Sequence, residues 1–313
     1  MLLLSMLIAP GFAQEAPPIV NGSTTREFEA VGAITMVHQG SYYSFCSGTL
    51  IHPEYILTAA HCVTAAYDYD RQGIKIKFTL GHNMATESGV YESKAVEDYL
   101  EHPDYNSNSN RHDIGLLKLK NPFTETIPIP LNSTSLNPGW EGLQLDYIGF
   151  GITDDNLDNG GKKRTARMPI VNWDSQFVYA YDEVSNLCSG DSGGAAMRID
   201  DDGEVSLVGV NSFVFGVSGS DPCDGGGSGA TRVDSHMDWI EEEVPLDEVN
   251  YSDPEPEPEP EPEEEDDVLA NNMPDRPMNE ETIGACASLP NTPSKAWILL
   301  LGGVLLRSRR EKR

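Results

Sequence analysis

Basic residues are scarce in this chain: 21 Lys and Arg stand against 50 Asp and Glu, a formal charge of −29 over 313 residues. That shortage excludes the positive face that nucleic-acid binding needs, and it fits a soluble protein. Cysteine is sparse too, with five in all and no C-x-x-C pair. No His/Cys set stands at metal-ligand spacing, which argues against a zinc site, and neither a metal nor a cofactor is expected. Long apolar runs are missing. The run Ala296–Leu306 would rise only about 17 Å as a helix, against a bilayer core of about 30 Å. Strands do not alternate with helices, so a parallel α/β sheet is disfavoured.

Turn formers are plentiful instead, with 29 glycines and 21 prolines. Between about Ile19 and Val244 they separate short β-rich runs: Ala33–Gln39, Ile74–Leu80, Leu143–Gly151 and Val205–Phe215. Many short strands at this spacing belong to an all-β sandwich or barrel. One helix is expected, Val233–Val244, with Val233, Met237, Ile240 and Val244 on one face. Residues 1–13 end in small residues after an apolar run and read as a secretory signal, although without a basic start. Residues 245–295 form a linker in which every residue from Asp253 to Asp267 is Asp, Glu or Pro. Such a segment repels itself and stays extended. The apolar 296–306 and the basic 307–313 complete the chain.

Three boxes carry chemistry. Gly190-Asp191-Ser192-Gly193-Gly194 contains G-x-S-x-G, the nucleophile elbow of α/β-hydrolases. Those enzymes place an acid and then a histidine after the serine. Here the residues after Gly194 are strand-like and the one downstream histidine, His236, lies in the expected helix. A glycine-rich turn alone would also leave the box without meaning. The other two boxes remove that reading: Thr58-Ala59-Ala60-His61-Cys62 and His112-Asp113-Ile114-Gly115-Leu116-Leu117. In this order, His then Asp then Ser, the chain resembles the trypsin/chymotrypsin family of serine endopeptidases over about Ile19 to Val244.

The resemblance implies two six-stranded antiparallel Greek-key β-barrels with a C-terminal α-helix, and it implies roles. Ser192 becomes the nucleophile and His61 the base that takes its proton. Asp113 orients His61 and stabilises the imidazolium. The N–H groups of Gly190 and Ser192 form the oxyanion hole, and Ser212 hydrogen-bonds the triad aspartate. Four cysteines allow three pairings by sequence alone. The family pattern selects Cys46–Cys62 and Cys188–Cys223, bridges that require an oxidising compartment. A catalytically dead binding module is the rival class, but all three triad positions are kept here together with Gly190 and Asp191.

Ile19-Val20-Asn21-Gly22 resembles the family's mature N-terminus. It implies a zymogen with the propeptide 14–18, in which cleavage frees the Ile19 amine to pair with Asp191. Pro18 stands where the family carries a basic residue, so the activating protease is not trypsin-like. Asn186 occupies the floor of the expected specificity pocket, with Val214 narrowing its mouth and Ser228 opposite. This set implies protein or peptide substrates cut after small or medium uncharged residues, by a monomer. Acidic residues around Tyr67–Gly73 raise a calcium loop as an open question, without a clear ligand set. Finally, Cys286, the apolar run and the terminal arginines resemble MYXO-CTERM sorting tails. They imply secretion or surface display on a Gram-negative-type bacterium, with sorting machinery as a partner, processing near Cys286 and transient membrane anchoring.

Overall fold

A computed structural model describes residues 19–154, 157, 159–217 and 223–252. Residues 1–18, read as signal and propeptide, and the tail with Cys286 lie outside these residues, as does the linker beyond residue 252; its described start holds a 3-10 turn, Leu246–Glu248. After β1 (Ser23–Thr24), six strands follow: β2 (Val31–His38), β3 (Ser41–His52), β4 (Tyr55–Thr58), β5 (Lys75–Gly81), β6 (Val90–Glu101) and β7 (Gly115–Leu119). They close into an antiparallel barrel in the order β2-β3-β4-β7-β6-β5. Six more repeat the plan: β8 (Gln144–Gly149), β9 (Arg164–Trp173), β10 (Phe177–Tyr181), β11 (Ala195–Ile199), β12 (Val205–Phe215) and β13 (Gly227–Arg232). Their order is β9-β10-β13-β12-β11-β8, closed by pairing of β8 with β9, and β1 adds to the outside of β9. Each barrel is thus a three-strand meander joined to a second meander in reverse order, as the resemblance implied. Closure removes the unpaired edges that an open sheet would present.

Side-chain alternation explains why these segments become barrel strands. In β5, Ile76, Phe78 and Leu80 are buried while Lys75 is exposed. Phe78 fills the first barrel edge-on to Phe123, ring centres 6.1 Å apart. It needs glycine neighbours, because a Cβ on Gly32 would come within 2.5 Å of the Phe78 ring. The second barrel packs Leu145, Tyr147, Met168, Ile170, Val178 and Val208 with Ile19. Ile148, Phe150, Ala195, Met197 and Val210 instead join the first barrel's core cluster. One apolar body therefore runs through the seam between the barrels.

The helices differ from the expectation. The segment Val233–Val244 splits into a 3-10 turn, Asp234–His236, and a seven-residue helix, here α2 (Met237–Glu243). An unexpected helix, α1 (Ala60–Arg71), carries His61 in its first turn. Ala59 supplies no side-chain cap, and Val63, Thr64 and Tyr67 lower helix propensity, so α1 announces itself weakly in sequence. Its stop is plainer: Gly73 follows the C-cap at φ +82°, as helix-ending glycines do. Because residues 67–71 are helical, the segment questioned as a calcium loop is not a loop.

Phe78→Ala should cost about 3–5 kcal/mol of stability, as expected for emptying a well-packed aromatic site. Denaturant unfolding of a Ser192→Ala background, which prevents self-digestion, measures it. A loss below 1 kcal/mol would contradict this account of the first barrel.

Candidate active site

The site grows from a buried carboxylate. Asp113 sits two residues before β7 and is 0% exposed. Its Oδ1 accepts the backbone N–H of His61 (3.0 Å), and its Oδ2 lies 2.8 Å from His61 Nδ1. Oδ2 also accepts the Ser212 hydroxyl at 2.5 Å. A buried carboxylate with two donors and a facing imidazole is satisfied rather than stranded. The His61 side chain, about one third exposed, turns one edge to Asp113 and retains access to solvent.

Two local devices aim these groups. The β12–β13 ladder shifts register between Asn211 and Phe213, so Ser212 falls at a bulge. Bulges re-aim side chains, and this one sends Ser212 to Asp113. On the other side, the turn holding Asp113 places His112 at φ +52°. The His112 N–H donates to Gln176 Oε1 (2.9 Å), and the Asp113 carbonyl accepts Thr231 Oγ1 (2.9 Å).

Ser192, partly exposed, lies in the turn before β11, flanked by glycines at φ +94° (Gly190) and +78° (Gly193). Those angles favour glycine, and Gly193 has a second reason: a Cβ there would run into Thr58 Oγ1 and the Ser47 carbonyl. The turn is held from both barrels. Ser47 N–H donates to the Ser192 carbonyl (2.8 Å), and Ser47 Oγ donates to the Gly190 carbonyl (2.9 Å). Gly193 N–H donates to the Asn211 carbonyl at 2.7 Å. Thr58 belongs to the histidine box, but nothing in sequence marks Ser47, Asn211, Gln176 or Thr231.

Asp191 is 0% exposed and accepts the N–H groups of Gly151 (2.7 Å) and Cys188 (3.0 Å). Desolvation nonetheless pushes its carboxyl up to about 6, against the pull of those hydrogen bonds and of Arg164. Ile19 is also fully buried, and Val20 bridges to Asn186. The expected disulfides form: Cys46–Cys62, with Cα atoms 6.1 Å apart, ties β3 to α1, and Cys188–Cys223 has a Cα spacing of 5.0 Å.

Beside Ser192 opens a cavity of about 180 Å³, lined by Leu187, Ser189, Ser212, Phe213 and Val214 among others. Val214 and Ser228 are direct cross-strand partners, and both Asn186 and Ser228 are 1% exposed. Ser228 Oγ is buried with no hydrogen-bond partner among the described residues.

One convergence escapes linear spacing altogether. His102, His112 and His236 come together although they are far apart in the chain, with one ring nitrogen from each within 4.8 Å of the others. The absence of a metal-spaced motif therefore says nothing about this cluster. The grouping of His61 with Cys46 and Cys62 is different, because both cysteines are consumed in a disulfide.

Comparisons with known proteins agree with this geometry. The family model Trypsin matches residues 19–240. The CLIP domain-containing serine protease HP8 of Bombyx mori is 31% identical over 232 residues, covering 63% of this chain and 60% of its own length. Brachyurin of Leptuca pugilator is 29% identical, covering 64% of this chain and 88% of its own. Chymotrypsin-like elastase family member 1 of Canis lupus familiaris is 27% identical, covering 75% and 97%. This chain thus spans less than two thirds of the silkworm relative but nearly all of the mammalian one. With the double barrel and a family match across nearly all of it, the chain belongs to the trypsin/chymotrypsin-type family of serine endopeptidases.

Proposed function

We propose that the chain is a secreted serine endopeptidase that cleaves proteins or peptides with Ser192 as nucleophile, His61 as general base and acid, and Asp113 as the group that orients His61. The observation that carries this reading is the buried Asp113 carboxylate bound by both the backbone and the ring of His61. That contact fixes the proton on Nδ1 and leaves Nε2 as the base. Ser192 Oγ attacks the peptide carbonyl while His61 Nε2 takes its proton. The N–H groups of Gly190 and Ser192 receive the oxyanion. His61 then protonates the departing amine, and water repeats the sequence on the acyl-enzyme.

The proposed first step of maturation is cleavage after Pro18, by a protease that is not trypsin-like. A buried carboxylate held near pKa 6 by desolvation lacks a full counter-charge, which the freed Ile19 ammonium would supply. Substrate preference for small or medium uncharged residues is supported by the modest cavity and Val214 at its wall; the neutral Asn186, assigned to the floor by the resemblance, is buried and is not among the residues that line it. The enzyme acts as a monomer. The 1–13 segment would export it, and the Cys286 tail would hold it transiently at a Gram-negative-type surface before processing. No described helix is long and apolar enough to cross a membrane. Mass spectrometry of the mature termini tests both ends of this account.

A fluorophosphonate probe should label the mature protein and not Ser192→Ala. Asp113→Asn should lower kcat by about 10⁴, the size known for this change in the family's triad. Absence of labelling once Ile19 is free would favour a binding module instead.

For Asp191 the raised folded value means that stability is present below pH about 4 and is lost as pH rises through about 6. In the uncut Ser192→Ala chain that loss should reach about 3 kcal/mol by pH 8, and Asp191→Asn should abolish it. Cleavage before Ile19 should abolish it as well. A pH profile unchanged by cleavage would sink the activation step.

Asn186→Asp should move cleavage toward Arg and Lys in a peptide library. A parent enzyme that already cuts chiefly after Arg or Lys would overturn the assigned preference.

A further inference from the structure

We propose that His102, His112 and His236 form a transition-metal site, with Zn²⁺ as its natural ion, that clasps the Asp113-bearing turn to the C-terminal segment. His112 Nδ1 and His236 Nε2 lie 3.1 Å apart. Two nitrogens on one tetrahedral zinc at 2.0–2.1 Å stand about 3.3 Å apart, so a metal fits between them with a shift of a few tenths of an ångström. His236 is the anchor. It is 3% exposed, and its Nδ1 donates to the Arg232 carbonyl at 2.7 Å, which fixes Nε2 as the ligand atom. A metal-bound histidine characteristically donates its other N–H in this way.

The third ligand stands at a more open rim. The His102 ring stacks on His112, with centroids 4.8 Å apart and planes 14° from parallel, so it must rotate out of that stack for both rings to hold one ion in their planes. Asp104 N–H donates to His102 Nδ1, so the ring proton sits on Nε2 and must move before Nε2 can serve as a ligand. Coordination moves the His102 proton to Nδ1, which exchanges that exposed contact for water. His112 makes the corresponding change, passing its proton from Nδ1 to Nε2. No other reactant is required, and water takes the fourth position, as in three-histidine sites generally.

Two carboxylates stand near the cluster in the chain, Asp104 two residues after His102 and Asp234 two before His236, and Asp234 is paired with Arg232. The surroundings also explain what binding would do. His102 follows β6 and touches Trp239 of α2, ring centres 5.0 Å apart. His236 immediately precedes α2, and His112 immediately precedes Asp113. A metal therefore joins three segments that are otherwise linked there by side-chain stacking and single hydrogen bonds.

The test uses full-length Ser192→Ala protein, freed of metal by a chelator and titrated with Co²⁺ and then Zn²⁺ alone. One equivalent of Co²⁺ should give the intense visible bands of four-coordinate cobalt, Zn²⁺ should displace it, and Zn²⁺ should raise Tm. His112→Asn and His102→Asn, at the open rim, should each weaken binding by at least about 100-fold. His236→Gln should do the same, and if it fails to fold the two rim variants decide. Only pale six-coordinate cobalt, an unchanged Tm, or binding that survives both rim variants and disappears in His61→Asn would overturn the site.

Discussion

A single buried charge organises this molecule. The Asp113 carboxylate has no exposure, and its protein partners must replace the water it has lost. The donors come from far apart: His61 from α1 in the first barrel, and Ser212 from a bulge in the second. Thr231 of β13 and Gln176 hold the same turn by its backbone. Satisfying one carboxylate therefore requires both barrels to close and to meet at a defined angle. The apolar seam of Ile148, Phe150, Ala195 and Val210 stabilises that meeting without specifying it. Hydrophobic burial is non-directional, whereas these hydrogen bonds tolerate displacements of only a few tenths of an ångström.

The Ser192 turn obeys the same logic by different means. It carries no buried charge on Ser192 itself, so backbone contacts position it. Ser47 from β3 binds the carbonyls of both Gly190 and Ser192, and Asn211 from β12 binds the Gly193 N–H. The two positive-φ glycines let the chain pass between these anchors, and bulk at Gly193 is excluded by Thr58 and Ser47. The Ser192 turn and the His61 helix are thus both tied to β3, through separate sets of bonds. The Cys46–Cys62 bridge ties β3 to the helix that bears His61. Preorganisation of this kind leaves little rearrangement for the reaction to drive.

Much of this was legible in the sequence because motif residues report chemistry that tolerates few substitutes. The three boxes placed His61, Asp113 and Ser192, the strand runs placed β2, β5, β8 and β12, and the cysteines paired as the resemblance implied. Val214 and Ser228, which the resemblance assigns to one pocket, are cross-strand partners on β12 and β13. What stayed hidden depends on tertiary context. Helix α1 has no capping side chain and a weak apolar stripe, and packing rather than propensity makes it. Ser47, Asn211, Gln176 and Thr231 are ordinary polar residues whose importance lies wholly in what faces them. The bulge at Ser212 exists only relative to β13.

The histidine cluster carries that lesson furthest. Linear spacing finds metal sites whose ligands share a helix or a turn, and here the three rings arrive from the end of β6, the turn before Asp113 and the turn before α2. Their meeting depends on barrel closure, which brings Gly115 opposite Glu101, and on α2 resting against His102 through Trp239. His236 is nearly inaccessible while its partners are partly exposed, so the cluster is closed at its base and open at its rim. Because His112 shares its backbone with Asp113, an ion bound there acts on the turn that the whole site is built around.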